Sequence, residues 1–102
     1  MFSGEFGLGG KALCYEITTH VPMIIYNPLV SQKHRGKKVD ELVQTIDIAP
    51  TMLAAAGVEI PETFQGKDLS EIVKGDEEPV REYLFTENLW STHFGNPRCE
   101  SV

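Results

Sequence analysis

The sequence predicts an α/β fold, and three observations carry that prediction. "HVPMIIYNP" (residues 20–28) is an apolar run without the alternation of a half-solvated strand, so it is expected to be a strand buried on both faces. "DIAPTMLAAAGVEIP", from Asp47 onward, sets helix start and stop signals around an apolar stripe. A second, shorter helix and a later aromatic strand follow, so the order is strand, helix, helix, strand. At 102 residues the chain has one domain's length and a modest core.

The first element is a glycine-rich stretch. "GEFGLGGKALCYE" (residues 4–16) places four glycines ahead of Lys11. Glycine in regular structure costs roughly 0.5–1 kcal/mol against alanine, so such a run marks a turn or a close backbone approach. Lys11 is the side chain it presents.

The strand comes next, with Val21, Met23, Ile24, Ile25 and Tyr26 as its buried residues and Asn27-Pro28 closing it. "SQKHRGKK" (31–38) is a polar, basic loop around Gly36. In the main helix Asp47 is expected to cap the first turn, where Pro50 is tolerated, and Gly57 to end it. Its stripe of Ile48, Met52, Leu53 and Ala56 is expected to face the sheet.

"DLSEIVKG" predicts the shorter helix. Asp68 and Glu71 have the spacing of a capping box, and Lys74 and Gly75 close the end. "GDEEP" (75–79) is an acidic, solvated linker. "REYLFTENLW" (81–90) is the later strand, packing through Tyr83, Phe85 and Leu84. The tail "STHFGNPRCESV" shows no closing signal, and both ends are expected to continue in a longer chain.

Charge and composition exclude some functions. A net charge of −6 opposes broad nucleic-acid binding, which needs a basic surface. No apolar run is long enough to predict a membrane span. Cys14 and Cys99 are far apart and fit no metal-ligand spacing, which leaves the redox compartment open.

Several polar residues have bland readings. Glu16 is expected in a hydrogen bond or ion pair, His20 in a structural hydrogen bond beside the strand, and His34 in solvent within a solvated basic loop. Asp47 is explained as a cap, not a calcium ligand.

Three stretches in order, "GEFGLGGKALCYE" running into "THVPMIIYNP", then "VQTIDIAPTMLAAAGVEIP", then "QGKDLSEIVKG", resemble the middle-to-late portion of sulfatases of the alkaline-phosphatase superfamily. The resemblance covers nearly the whole chain. It implies a fragment of an alkaline-phosphatase-like sandwich: residues 1–102 as a partial sulfatase domain lacking the N-terminal catalytic half and the extreme C-terminus. There are departures. Phe6 stands where many members have histidine in Gly-Glu-His-Gly, and His20 replaces a commoner arginine, as in sulfatases resembling the iduronate type.

The resemblance also implies roles. Lys11 matches the lysine that binds the substrate's sulfate group; on charge and spacing alone it is a surface lysine after a loop. A fixed cation there stabilises the charge that shifts toward the leaving oxygen. His93, in the polar and aromatic "LWSTHFGN", is taken to the rim of the parent enzyme's substrate pocket. The formylglycine motif Cys/Ser-x-Pro-x-Arg matches neither cysteine, and the family's calcium ligands are expected outside this chain.

The isolated chain is therefore expected to be inactive, and no cofactor is expected for it alone. The parent enzyme would use calcium and act on a sulfated small molecule or glycan. The sequence leaves the compartment open; a periplasmic or secreted location is compatible with the family resemblance alone. Two other readings stand beside this one: a phosphodiesterase or phosphonate hydrolase of the same superfamily, and a non-catalytic α/β interaction module. The fragment reading predicts an exposed apolar strand and self-association, the module reading a cooperative melt.

Overall fold

The computed structural model describes residues 2–4, 9–10, 14–76, 78–88 and 99–102. The chain divides into two compact units, one made of Met1–Ile24 with Phe85–Val102 and the other of Ile25–Leu84.

In the discontinuous unit, β1 (Phe2–Ser3) pairs antiparallel with β2 (Gly9–Gly10), Phe2 opposite Gly10 and Ser3 opposite Gly9. Two of the four glycines thus form a strand. A single helical turn, α1 (Glu16–Thr19), follows; the hydroxyls of Thr18 and Thr19 both donate to the Tyr15 carbonyl, at 2.7 and 3.3 Å. A second antiparallel pair joins β3 (Thr86–Asn88) to β4 (Cys99–Ser101), with Asn88 opposite Cys99.

Three expectations for this part of the chain are corrected. The tail, which carried no strand signal, ends in β4, because Thr86–Asn88 supplies the ladder partner its composition could not announce. The run 20–26 forms no strand: its backbone has no ladder partner among the described residues, and Ile24 is 93% exposed. The stretch 81–90 is a strand only over Thr86–Asn88, with residues 89–90 outside the described set. Tyr83 and Phe85 are exposed and Leu84 is half-buried, because Arg81 is drawn to Asp47 and the segment after it has no ladder partner until Thr86.

The continuous unit opens on a turn. The Val30 amide donates to the Asn27 carbonyl at 3.2 Å and the Leu29 amide to Asn27 Oδ1 at 2.9 Å, with Pro28 fixing φ at the second position. The basic loop that follows contains one tight helical turn, Gln32–His34. Another, Thr45–Asp47, leads into α2 (Ile48–Ala55), which Gly57 ends with φ 69°. The last helix is α3 (Ser70–Lys74).

The predicted helices form, but their details differ. Asp47 makes no side-chain cap to α2. Its carboxylate instead accepts the Gln44 amide in a capping box around the tight turn. The inward stripe of α2 is Asp47, Pro50, Thr51 and Ala54, one position off the apolar stripe. Ile48, Met52 and Ala56 are exposed, and only Leu53 of the predicted set is half-buried. The polar anchors decide this: Thr51 Oγ1 donates to the Asp47 carbonyl at 2.6 Å and accepts the Leu69 amide at 3.0 Å, turning that face inward.

In α3 the capping box does not close. Asp68 Oδ1 accepts the Ser70 amide at 2.9 Å, but Glu71 turns outward to Lys74, 2.7 Å away. Gly75 ends the helix with φ 100°, its amide on the Ile72 carbonyl and the next amide on Glu71. The core of this unit is Leu69, Ile72 and Val30 beside buried Pro50.

Candidate functional site

Lys11 and His93, the residues singled out for substrate contact, lie outside the described residues. In the sequence Lys11 directly follows β2 and Cys14 comes three positions later; His93 falls between β3 and β4.

The strongest polar constellation in the described structure is one the sequence did not announce. Asp47 is 0% exposed, yet its two oxygens take four donors. Arg81 Nη1 reaches Oδ2 and Nη2 reaches Oδ1, each at 2.6 Å; the Gln44 amide adds 2.7 Å and the Lys67 amide 2.8 Å. Burial alone would push this carboxyl up. The hydrogen bonds from Arg81, Lys67 and Gln44, with the guanidinium charge, outweigh burial and hold it below the usual carboxylate range. Only the helix-start signal at Asp47 was legible; nothing in the sequence marks Arg81, 34 positions away, as its partner.

This arrangement is architectural. A carboxylate enclosed by four donors has nothing left for a metal, so Asp47 does not fit calcium. Among the described residues no group of three or more His, Cys, Asp and Glu is placed to hold a metal ion.

Other cations are also engaged. Arg35 ties down its own loop, Nε on the Val30 carbonyl at 2.8 Å and Nη2 on that of Pro28 at 2.6 Å. Lys38 pairs with Asp40 at 2.9 Å and Lys74 with Glu71 at 2.7 Å. In both pairs the hydrogen bond to the carboxylate, then its charge, raises the ammonium pKa.

The histidines depart from expectation. His20 lies not against a buried strand but in the open, its Nδ1 3.4 Å from Glu16 one helical turn back, which gives Glu16 the partner expected of it. His34 is not simply solvated. Its ring is half-buried, and Nδ1 is enclosed with no hydrogen-bond partner, packed against Gly75, where only the missing Cβ makes room.

Within the continuous unit an apolar groove of about 840 Å³ runs between the turn and the helices, lined by Ile25, Tyr26, Leu29, Met52, Ala55 and Val73. In the other unit, Cys14 and Cys99 are neighbours, their sulfurs 2.8 Å apart. The only sequence hint of that pairing was that the chain has two cysteines.

Comparison with known proteins agrees with the motif order. Residues 4–98 match the family model described as N-sulphoglucosamine sulphohydrolase, C-terminal, so the chain belongs to this family of sulfatases. It is 34% identical over 96 residues to an arylsulfatase of Clostridium perfringens, covering 89% of this chain and 20% of the relative. It is 33% identical over 75 residues to an N-acetylglucosamine-6-O-sulfatase of Bacteroides thetaiotaomicron, covering 74% and 13%. Human steryl-sulfatase is 38% identical over 80 residues, covering 76% and 13%. The chain spans a fifth or less of the length of these relatives. No solved structure matches it.

Among the described residues no helix is long and apolar enough to cross a membrane.

Proposed function

We propose that this chain is the late part of a sulfatase that hydrolyses sulfate esters, and that its direct contribution to the chemistry is Lys11. The observation that carries the reading is the ordered match over residues 4–98, which includes the glycine-flanked lysine. Relatives named for sulfatase activity favour a sulfate ester over the phosphoester reading.

In this reading the Lys11 ammonium holds the sulfate group and stabilises the charge that moves onto the leaving oxygen. His93 stands at the pocket rim. The formylglycine nucleophile and calcium belong to residues outside this chain, and the chain alone is inactive. The fold completes as an alkaline-phosphatase-like sandwich, the rest of the domain covering the exposed side chains of the run 20–26 and the outer stripe of α2. Substrates are sulfated small molecules or glycans, a range that includes the aryl, amino-sugar and steryl groups in the relatives' names.

The test is kinetic. In the full enzyme, turnover of an aryl sulfate should fall about 100-fold or more in Lys11→Ala, the scale of removing one donor aimed at developing charge. Undiminished turnover in that variant would remove Lys11 from the site. Hydrolysis of a phosphodiester with none of the sulfate ester would overturn the sulfatase reading itself.

A further inference from the structure

We infer that Cys14 and Cys99 form a dithiol–disulfide couple that fastens the two sequence-distant arms of the discontinuous unit. The inference is independent of the substrate.

The cysteines are 85 positions apart, and both stand as half-buried thiols. β4 explains why Cys99 faces its partner. Along Cys99–Ser101 the burial alternates, with Glu100 exposed and the other two half-buried, so Cys99 and Ser101 share the inward face. Asn88 lies opposite Cys99 and fixes its register. From the other arm, Cys14 sits just before α1, and its thiol donates to the Cys99 carbonyl at 3.5 Å. The sulfurs are in direct contact. The chain has no third cysteine, so an intramolecular disulfide of this chain can only be this one.

The oxidant is a low-molecular-weight disulfide such as oxidised glutathione. One cysteine thiolate attacks a sulfur of that molecule, forming a mixed disulfide and expelling one glutathione thiolate. The second cysteine, as thiolate, then attacks the protein sulfur of the mixed disulfide. The Cys14–Cys99 bond forms and the second glutathione thiolate leaves. Two protein thiols are oxidised, one small disulfide is reduced, and two protons pass to solvent.

The bond would close a loop containing the whole of Ile25–Leu84. Loops of that length restrict the unfolded chain strongly when cross-linked, so the oxidised form should unfold at higher temperature than the reduced form.

The experiment equilibrates the full chain with oxidised and reduced glutathione, counts titratable thiols, and maps peptides without reduction. The expected result is loss of both thiols at Cys14 and Cys99, a cross-linked peptide joining them within one molecule, and a higher melting temperature that reductant reverses. Cys14→Ser and Cys99→Ser should each abolish the cross-link. Thiols that stay titratable, or that appear only as glutathione adducts or bonds between molecules, would overturn the couple. Equal melting of oxidised and reduced forms would overturn its fastening role.

Discussion

Arg81 grips Asp47 at two points, each nitrogen 2.6 Å from its own carboxylate oxygen, and joins the end of the acidic linker region to the start of α2. The remaining lone pairs of Asp47 hold the amides of Gln44, in its own turn, and of Lys67, so one fully buried carboxylate ties together three segments of the continuous unit.

Breaking that pair from one side leaves the other charge buried without compensation. Asp47→Ala or Arg81→Ala should each cost about 3–5 kcal/mol, a large part of a small domain's stability. The double variant should lose much less than the sum, because no lone charge is then left inside. Denaturant unfolding of the three variants checks this. Additive losses would mean that the two residues act separately.

The same carboxylate predicts an acid limit. Its folded pKa lies below the unfolded value of about 4. The group's contribution is therefore complete above about pH 4 and is lost as pH falls through the lower, folded value. Urea midpoints measured from neutral pH downward should hold to about pH 4 and then drop. Asp47→Asn should weaken the protein at neutral pH and flatten that drop.

Two glycines fill positions a side chain cannot, for different reasons. At Gly66 an added methyl would collide with the Ile46 carbonyl and the Asp47 amide, both backbone, beside the Lys67 amide that Asp47 holds. At Gly75 the methyl would meet the His34 ring, and φ 100° adds strain for any L side chain. A ring can rotate and a backbone amide cannot. Gly66→Ala should therefore destabilise more than Gly75→Ala, the latter by about 1–2 kcal/mol. Adding His34→Ala should restore part of the Gly75→Ala loss and none of the Gly66→Ala loss. Thermal melts of the variants decide it.

The elements legible in the sequence were those with local causes. Gly57 and Gly75 end their helices as predicted, because a left-handed residue after a helix is a property of a few neighbouring positions. Asn27-Pro28, read in the sequence only as the close of the apolar run, makes a turn from equally local causes. Which face of α2 turns inward was not legible. Ile48 and Met52 carry the apolar signal, but Asp47 and Thr51 are held by Arg81 and by Leu69, at separations of 34 and 18 positions that leave no periodic trace. The strand β4 was missed because its sequence, Cys-Glu-Ser, has no strand signature without Thr86–Asn88 beside it. For the site, the order of motifs pointed to the family, while the pairing of Cys14 with Cys99 became visible only once β4 had placed one of them.

The exposed apolar side chains make the last prediction. Leu29 is 92% exposed, Tyr26 80% and Met52 66%, and all three line the groove of the continuous unit. Isolated apolar residues on a surface are ordinary, but these are gathered on one concavity, and such patches drive association. The 102-residue chain should therefore associate in proportion to its concentration. Leu29→Ser combined with Tyr26→Ser should shift sedimentation toward the monomer and reduce binding of a hydrophobic dye. Neither residue makes a side-chain hydrogen bond or ion pair in the described structure, and Leu29 lies almost wholly in solvent, so stability should change little. A chain that stays monomeric at every concentration, with or without the substitutions, would show that the groove is too open to hold a second copy.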